Sequence, residues 1–175
     1  VQELLPPTST HRRLSADYTA NPFWLAYKAL PQIVEHNPEN AISVVVALYC
    51  KGLIKYIEKQ LTTLNVSDMF RAHDLIRKLK LLQKGDGGFA WFDHMHSSSF
   101  ITAEVMMHLS RLVSLTNDTN GLNNIISRAN EYLDKQICEE VAEIKKLEKK
   151  GYKTYFPNYA CLQHLYNCAL QKRNL

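Results

Sequence analysis

QKGDGGFAWFDHMHSSSFITAEVMMHL, residues 83 to 109, is the stretch that decides the fold. Gly85, Gly87 and Gly88 can each take a positive φ without steric cost, so a helix ending near Lys84 can reverse sharply there. Asp86 suits the turn, because its carboxylate can accept a nearby backbone N–H. Phe89, Trp91 and Phe92 then place a large apolar mass ahead of the next helix, and are expected to wedge between two helix ends. Ser97, Ser98 and Ser99 supply N-cap side chains, and Phe100-Ile101 are expected to open a buried face.

Outward from this turn the chain reads as helices. Toward the N-terminus, residues 68 to 83 form an amphipathic helix capped by Ser67. Met69, Leu75, Ile76, Leu79 and Leu82 face inward; Arg71, Arg77, Lys78 and Lys80 face outward. Before it, AISVVVALYCKGLIKYIEKQL is apolar nearly all round in its first half, which marks a central, buried helix. Asn37-Pro38-Glu39-Asn40 turns the chain ahead of that helix. An earlier helix opens at Asn21 or Pro22 and runs through Phe23, Trp24, Ala26, Tyr27 and Leu30 toward Val34; Pro31 is expected to kink or end it. Residues 1 to 20 are an irregular lead-in, with Leu14 to Thr19 as a short extended arm. Toward the C-terminus, the helix from Ser99 to about Leu115 breaks at Thr116 to Gly121. A long amphipathic helix follows to about Lys149, with Ile125, Ile126, Ala129, Leu133, Ile137, Val141, Ile144 and Leu147 at helical spacing. Gly151 stops it. A last helix, Asn158 to Gln171, carries Tyr159, Leu162, Leu165, Tyr166 and Ala169. Only Tyr152 to Phe156 has a strand-like pattern, and it is short. The expected fold is all-α, about six helices in antiparallel pairs, within one domain over residues 1 to 175.

Composition narrows the function. The 175 residues are 46% hydrophobic and 22% charged, ordinary values for a globular protein. The net charge of +4 is spread out: Lys145, Lys146, Lys149 and Lys150 interleave with Glu143 and Glu148 as a solvated helix face, with no call for nucleic acid or membrane. No apolar run reaches the ~18 residues of a transmembrane helix. The start at Val1 and the loop-like LLPPTST read as a piece of a longer polypeptide. Cys161 and Cys168 stand seven residues apart on one helix, ~10 Å along its axis and too far for a disulfide. With no CxxC among Cys50, Cys138, Cys161 and Cys168, buried free thiols are expected.

The turn Gln-x-x-Asp-Gly-Gly-Phe-x-x-Phe, followed by Ser-x-Ile-Thr and an apolar helix, resembles the thioester domain of the α2-macroglobulin/complement family. It looks closest to the large bacterial, Bacteroidetes-type members. Glycine–aromatic turns of this kind also recur in other α/α-toroids, including terpenoid cyclases and prenyltransferase β-subunits. Two further stretches carry the resemblance to the bacterial family in the same order. One is NPFWLAYKALPQIVEHNPENAISVVVALYCKGL, Asn21 to Leu53; the other is ISRANEYLDKQICEEVAEIKK followed by FPNYACLQHLYNCAL. The resemblance implies an α/α-toroid. It also implies a secreted or envelope-anchored parent protein facing the periplasm or the outside, with other domains of the same polypeptide as partners.

The chain departs from the family where the family's chemistry resides. Thioester-forming members have Cys-x-Glu-Gln after the Leu-Pro helix and its turn, and the thiol and the glutamine carboxamide condense into a strained acyl donor. Here those positions read Asn40-Ala41-Ile42-Ser43. Asn40 stands for the cysteine and Ser43 for the glutamine, and neither can make the bond. Cys50 lies ten residues on, with no glutamine three residues after it. The chain is also short: a toroid of about twelve helices takes roughly 300 residues, so helices are missing or deleted near residues 61 to 71. A half ring exposes apolar surface or borrows a partner.

Other chemistries are weaker. His94 and His96, with Glu104 and His108, could ligate a metal, but they sit in a turn without an HExxH or CxxC to hold a shell. Asp86 with Asp93 could act as an acid–base or diphosphate–Mg²⁺ pair, but turn chemistry explains Asp86 and the Asp-rich run of terpenoid cyclases is missing. Trp24, Tyr27, Trp91, Phe92, Tyr159 and Tyr166 read as aromatic core between helix layers rather than as a ligand cavity. Asn65-Val66-Ser67 and Asn117-Asp118-Thr119 match the glycosylation pattern, with Ser67 and Thr119 better read as caps. The expectation is a non-catalytic domain with no metal and no cofactor, serving non-covalent protease trapping. An envelope binding scaffold and, further off, a toroid enzyme are the alternatives.

Overall fold

The computed structural model describes residues 21–35, 37–60, 72–153 and 158–173. It is all-α, with six helices among the described residues: α1 (Pro22–Glu35), α2 (Ala41–Gln60), α3 (Ala72–Leu82), α4 (Ser99–Thr116), α5 (Asn123–Lys149) and α6 (Tyr159–Leu170). The helices touch in the order α1, α2, α4, α6, with α3 laid on α2 and α5 on α4.

The helix ends follow local chemistry. The Asn21 side chain accepts from the Phe23 N–H, and Pro22 takes the first helical position, where its missing N–H costs nothing. The helix runs four residues past Pro31, against the expected stop. A proline removes one ladder bond without ending a helix whose remaining length is packed, and α1 lies along α2. Ser98 caps α4 and Asn158 caps α6, each accepting from the N–H three residues on. Leu122, not Thr119, stands at the cap position of α5 and makes no side-chain bond there; the Thr119 carbonyl accepts the Leu122 N–H instead.

The core lies between α2 and α4. Ala41, Val44, Val45 and Leu48 of α2 meet Ile101, Val105, Met106, Leu109 and Leu112 of α4. Leu79, Phe89, Ile125, Ala129 and Leu133 close it from the sides. Each large side chain so buried contributes about 1.5–3 kcal/mol relative to exposure. Gly52 lets the two central helices approach closely: a Cβ there would lie 2.2 Å from Leu112 Cδ1. Beyond Ile137 no residue of α5 is fully buried.

The aromatic core expected from the sequence is mostly outside. Trp91, Phe92, Tyr159 and Tyr166 are exposed, as is Phe100, while Trp24 and Tyr27 are half-buried. Phe89 alone of the 89–92 trio is buried. It carries the ladder contacts to Gln83 and Ser98, which point it inward, and the chain turns outward after Ala90. The α4 core face opens at Ile101. Cys138 is exposed on α5, unlike Cys50, Cys161 and Cys168; all four are free thiols.

The inner face of α6 is also the reverse of the apolar expectation. Ala160, Cys161, His164, Asn167 and Cys168 are buried. Tyr159, Leu162, Leu165 and Tyr166 look out. Small and polar side chains let α6 lie close on α4, where Asn167 bonds Ala103 O, while His164 pairs with Asp134 of α5. The positions Ser67, Met69 and Arg71, the extended arm at 14–19 and the gap near 61–71 lie outside the described residues. Tyr152 and Lys153 form no strand, and Thr154 to Pro157 lie outside the described residues.

Candidate functional site

The glycine turn is tied at both ends. Lys84 N–H donates to Gly88 O at 2.9 Å and Gly87 N–H to Lys84 O at 3.0 Å, which closes the reversal after α3. Asp86 Oδ1 accepts the Gly88 N–H at 3.0 Å and the Ser97 hydroxyl at 2.7 Å, so one carboxylate oxygen joins the turn to the approach of α4. Ser98 N–H reaches Phe89 O, and Phe89 N–H reaches Thr102 Oγ1 on the first turn of α4, each at 2.9 Å.

Of the three glycines, Gly87 alone has a positive φ, at 93°. Its Cα faces α5 so closely that a Cβ would lie 2.3 Å from Arg128 O. Gly88 is needed for room, since a Cβ would meet Ser97 Cβ at 2.7 Å. Gly85 has open space around it and needs to be glycine on neither ground.

Two side chains fasten this turn to α5. The buried Gln83 amide donates to Gly87 O at 2.8 Å and to Ile125 O at 2.9 Å. Arg128 donates to Lys84 O at 2.7 Å and Gly85 O at 3.0 Å. Sequence reasoning missed Arg128, which sits 44 residues from Lys84 as the lone arginine of an amphipathic helix whose other basic residues are lysines.

The two positions that stand for the thioester form a closed pair. Ser43 N–H donates to Asn40 Oδ1 at 2.9 Å, Asn40 N–H to Ser43 Oγ at 3.2 Å, and the Ser43 hydroxyl to Asn40 O at 2.9 Å. This is a reciprocal cap on the first turn of α2. Burial pushes the Cys50 thiol up, away from the thiolate that nucleophilic chemistry requires.

The remaining candidates do not converge. His94 and His96 are exposed in the turn. Glu104 accepts from the Tyr159 hydroxyl, and His108 is half-buried beside the Tyr49 ring, 5.8 Å away. Burial above all lowers the pKa of His108. Asp93 pairs with Lys84 Nζ at 2.9 Å and is held below the usual carboxylate range by that hydrogen bond. Asp86 and Asp93 therefore serve separate partners. No group of three histidine, cysteine or carboxylate side chains comes together as a metal shell among the described residues.

A polar cluster that the sequence did not announce lies between α5 and α6. His164 is fully buried, and its Nε2 lies 2.8 Å from Asp134 Oδ1 and 3.5 Å from Cys168 Sγ. Arg173 bonds both carboxylate oxygens of Asp134. Asn167 donates to Ala103 O at 3.1 Å, and Gln171 bridges Asn130 and Ser110 at 2.8 Å on each side. Burial raises the pKa of Asp134, but the hydrogen bonds from Arg173 and His164 outweigh it and leave the carboxyl below its ordinary value. Burial raises the Cys168 thiol despite the nearby Arg173. A nucleophile–histidine–acid relay uses opposite ring nitrogens. Here thiol and acid share Nε2, so the cluster orients α6 and does not move a proton between them.

Comparison with models of known protein families, with curated proteins and with solved structures finds no match for this chain. No helix among the described residues is long and apolar enough to cross a membrane.

Proposed function

We propose that the chain is a non-catalytic helical domain of the α2-macroglobulin thioester-domain type whose thioester has been replaced by a helix cap. The observation that carries this reading is the closed Asn40–Ser43 pair, where each side chain bonds the other's backbone at the positions that stand for the cysteine and the glutamine. The contact order α1, α2, α4, α6 fits part of an α/α-toroid. The outward face of α6 fits a ring whose next helices come from the same, longer polypeptide. In this reading the parent is a Bacteroidetes-type envelope protein facing the periplasm or the outside. It holds proteases by closing around them, with endopeptidase inhibition that needs no covalent bond.

The test is the intact mass of the parent protein before and after methylamine, together with a protease panel. An unchanged mass, one cleavage site and a protease retained in a compact complex are expected. Amine incorporated within Asn21 to Leu53 overturns the reading of Asn40 and Ser43. An unchanged mass with no protease retained transfers the domain to an envelope scaffold without inhibitory action. The docking face has its own check in the chain alone. Leu162→Ser with Leu165→Ser should leave stability within about 0.5 kcal/mol, as expected at exposed positions. A loss of several kcal/mol would show that the face is covered in the free chain.

A further inference from the structure

Asn120-Gly121, in the turn between α4 and α5, is the one Asn-Gly pair of the sequence. Such a pair commonly serves a hairpin between strands, but here it joins two helices. Its glycine has a structural reason: Gly121 has φ 76°, and a Cβ there would lie 3.3 Å from Ile76 Cγ2 of α3. Its asparagine has none. A turn asparagine ordinarily bonds its own backbone two residues on, and Asp118 fills that role, its Oδ1 accepting the Asn120 N–H at 2.9 Å. The Leu122 N–H donates to Thr119 O at 2.9 Å, so the main chain is held on either side of the pair. Asn120 and Gly121 are both exposed. Neither the Asn120 carboxamide nor the Gly121 N–H meets a partner among the described residues.

This arrangement has a chemistry of its own. The Cγ of an asparagine is one five-membered ring closure away from the next backbone nitrogen, and glycine puts no side chain in the path. Attack by the Gly121 nitrogen on Asn120 Cγ forms the N–Cγ bond. The side-chain nitrogen leaves as ammonia, which carries off the proton that the Gly121 nitrogen gives up. Water then opens the cyclic imide at one of its two carbonyls. Opening at Cγ yields aspartate. Opening at the main-chain carbonyl yields isoaspartate, in which the chain runs through Cγ and is one methylene longer. Nothing is oxidised or reduced, and water, supplied by the exposure of the turn, is the sole co-reactant.

We infer that Asn120 is a site of self-modification, where the folded chain slowly converts its own asparagine to aspartate and isoaspartate. The two products act on the fold in opposite senses. Helix α5 begins without a side-chain cap and without an acid in its first turn, so a carboxylate just ahead of it complements the helix dipole. Isoaspartate adds the same charge but lengthens a link that is pinned on its far side. There Gly121 lies against Ile76, and Leu122 is buried in the core. The longer link loosens the turn from α3.

The experiment ages the full chain at mildly alkaline pH, folded in buffer and unfolded in guanidinium chloride. Peptides across the turn are then mapped by mass spectrometry with electron-transfer fragmentation, which separates the two acid products. Conversion at Asn120 is expected in the folded chain within about tenfold of the unfolded rate, a barrier difference under ~1.4 kcal/mol. Asn117, exposed in the same turn but followed by Asp118, should stay intact. Asn120→Gln should remove conversion at this position. The isoaspartate-bearing chain should melt below the fresh chain, and Asn120→Asp at or above it. An intact Asn120 in the folded chain, while the unfolded chain converts, overturns the proposal, as does equal conversion at Asn117. An isoaspartate form that melts with the fresh chain overturns the stated effect on α3.

Discussion

Replacing Gly87 by alanine should damage the fold far more than the same change two residues earlier. A left-handed backbone conformation costs a residue with a Cβ roughly 1–2 kcal/mol. The new methyl would also lie 2.3 Å from Arg128 O, a backbone atom inside α5 that cannot swing aside. The turn must therefore withdraw from α5. Withdrawal stretches the bond from the Gln83 amide to Gly87 O and that from Arg128 to Lys84 O. Leaving a buried amide short of a partner costs about 1–3 kcal/mol. Together these come to roughly 2–5 kcal/mol, a large part of the ~5–15 kcal/mol that holds a typical domain. Gly85 has no neighbour near its missing Cβ and no positive φ, so Gly85→Ala should be neutral or stabilise by up to about 1 kcal/mol through the unfolded chain. Urea unfolding followed by circular dichroism reads both, as midpoint changes at constant slope. A Gly87→Ala midpoint within about 1 kcal/mol of the parent chain, or equal damage at both glycines, would refute the close approach to α5.

Two further outcomes follow from the caps and the polar cluster. Asn40→Ala or Ser43→Ala should each cost about 1 kcal/mol by opening the reciprocal cap of α2, and the double variant should cost less than the sum because both remove one interaction; a double-mutant cycle in urea checks this. The folded-state pKa of Asp134 lies below its ordinary 3.8, so its contribution is fully present above that value and is lost as pH falls through the depressed folded value. Asp134→Asn should therefore flatten the stability–pH curve on its acid limb below about pH 4 while leaving its shape near neutrality; an unchanged acid limb would remove Asp134 from the linkage.

Helix existence was legible because it rests on local signals. The break at Thr116 to Gly121, the serine before α4 and the apolar spacing of α2 and α5 all act within a few residues. The face of α6 was not legible. Its sequence offers two arcs, one with Tyr159, Leu162, Leu165 and Tyr166, the other with Cys161, His164, Asn167 and Cys168. Apolar periodicity favours the first. The second is buried because its partners are Asp134 and Ala103, 30 and 64 residues away in the chain. Arg128 was hidden for the same reason: a lone arginine on an amphipathic helix reads as solvent-facing until the turn it holds is placed beside it. At the glycine turn, the residue types announced a reversal, but only the packing against α5 separates Gly87, which must lack a side chain, from Gly85, which need not.

The polar seat of α6 has a consequence for how the helix can move. Leucines packed on leucines tolerate a slide of one turn or a roll about the axis, since any apolar atom can replace another. Asn167 on Ala103 O, His164 on Asp134 and Gln171 on Ser110 all close at a single setting. Each bond fixes a different coordinate of α6, much as pins of unequal length admit one key. The helix thus gives up adhesive area for a unique docking position, and it keeps its greasier side free.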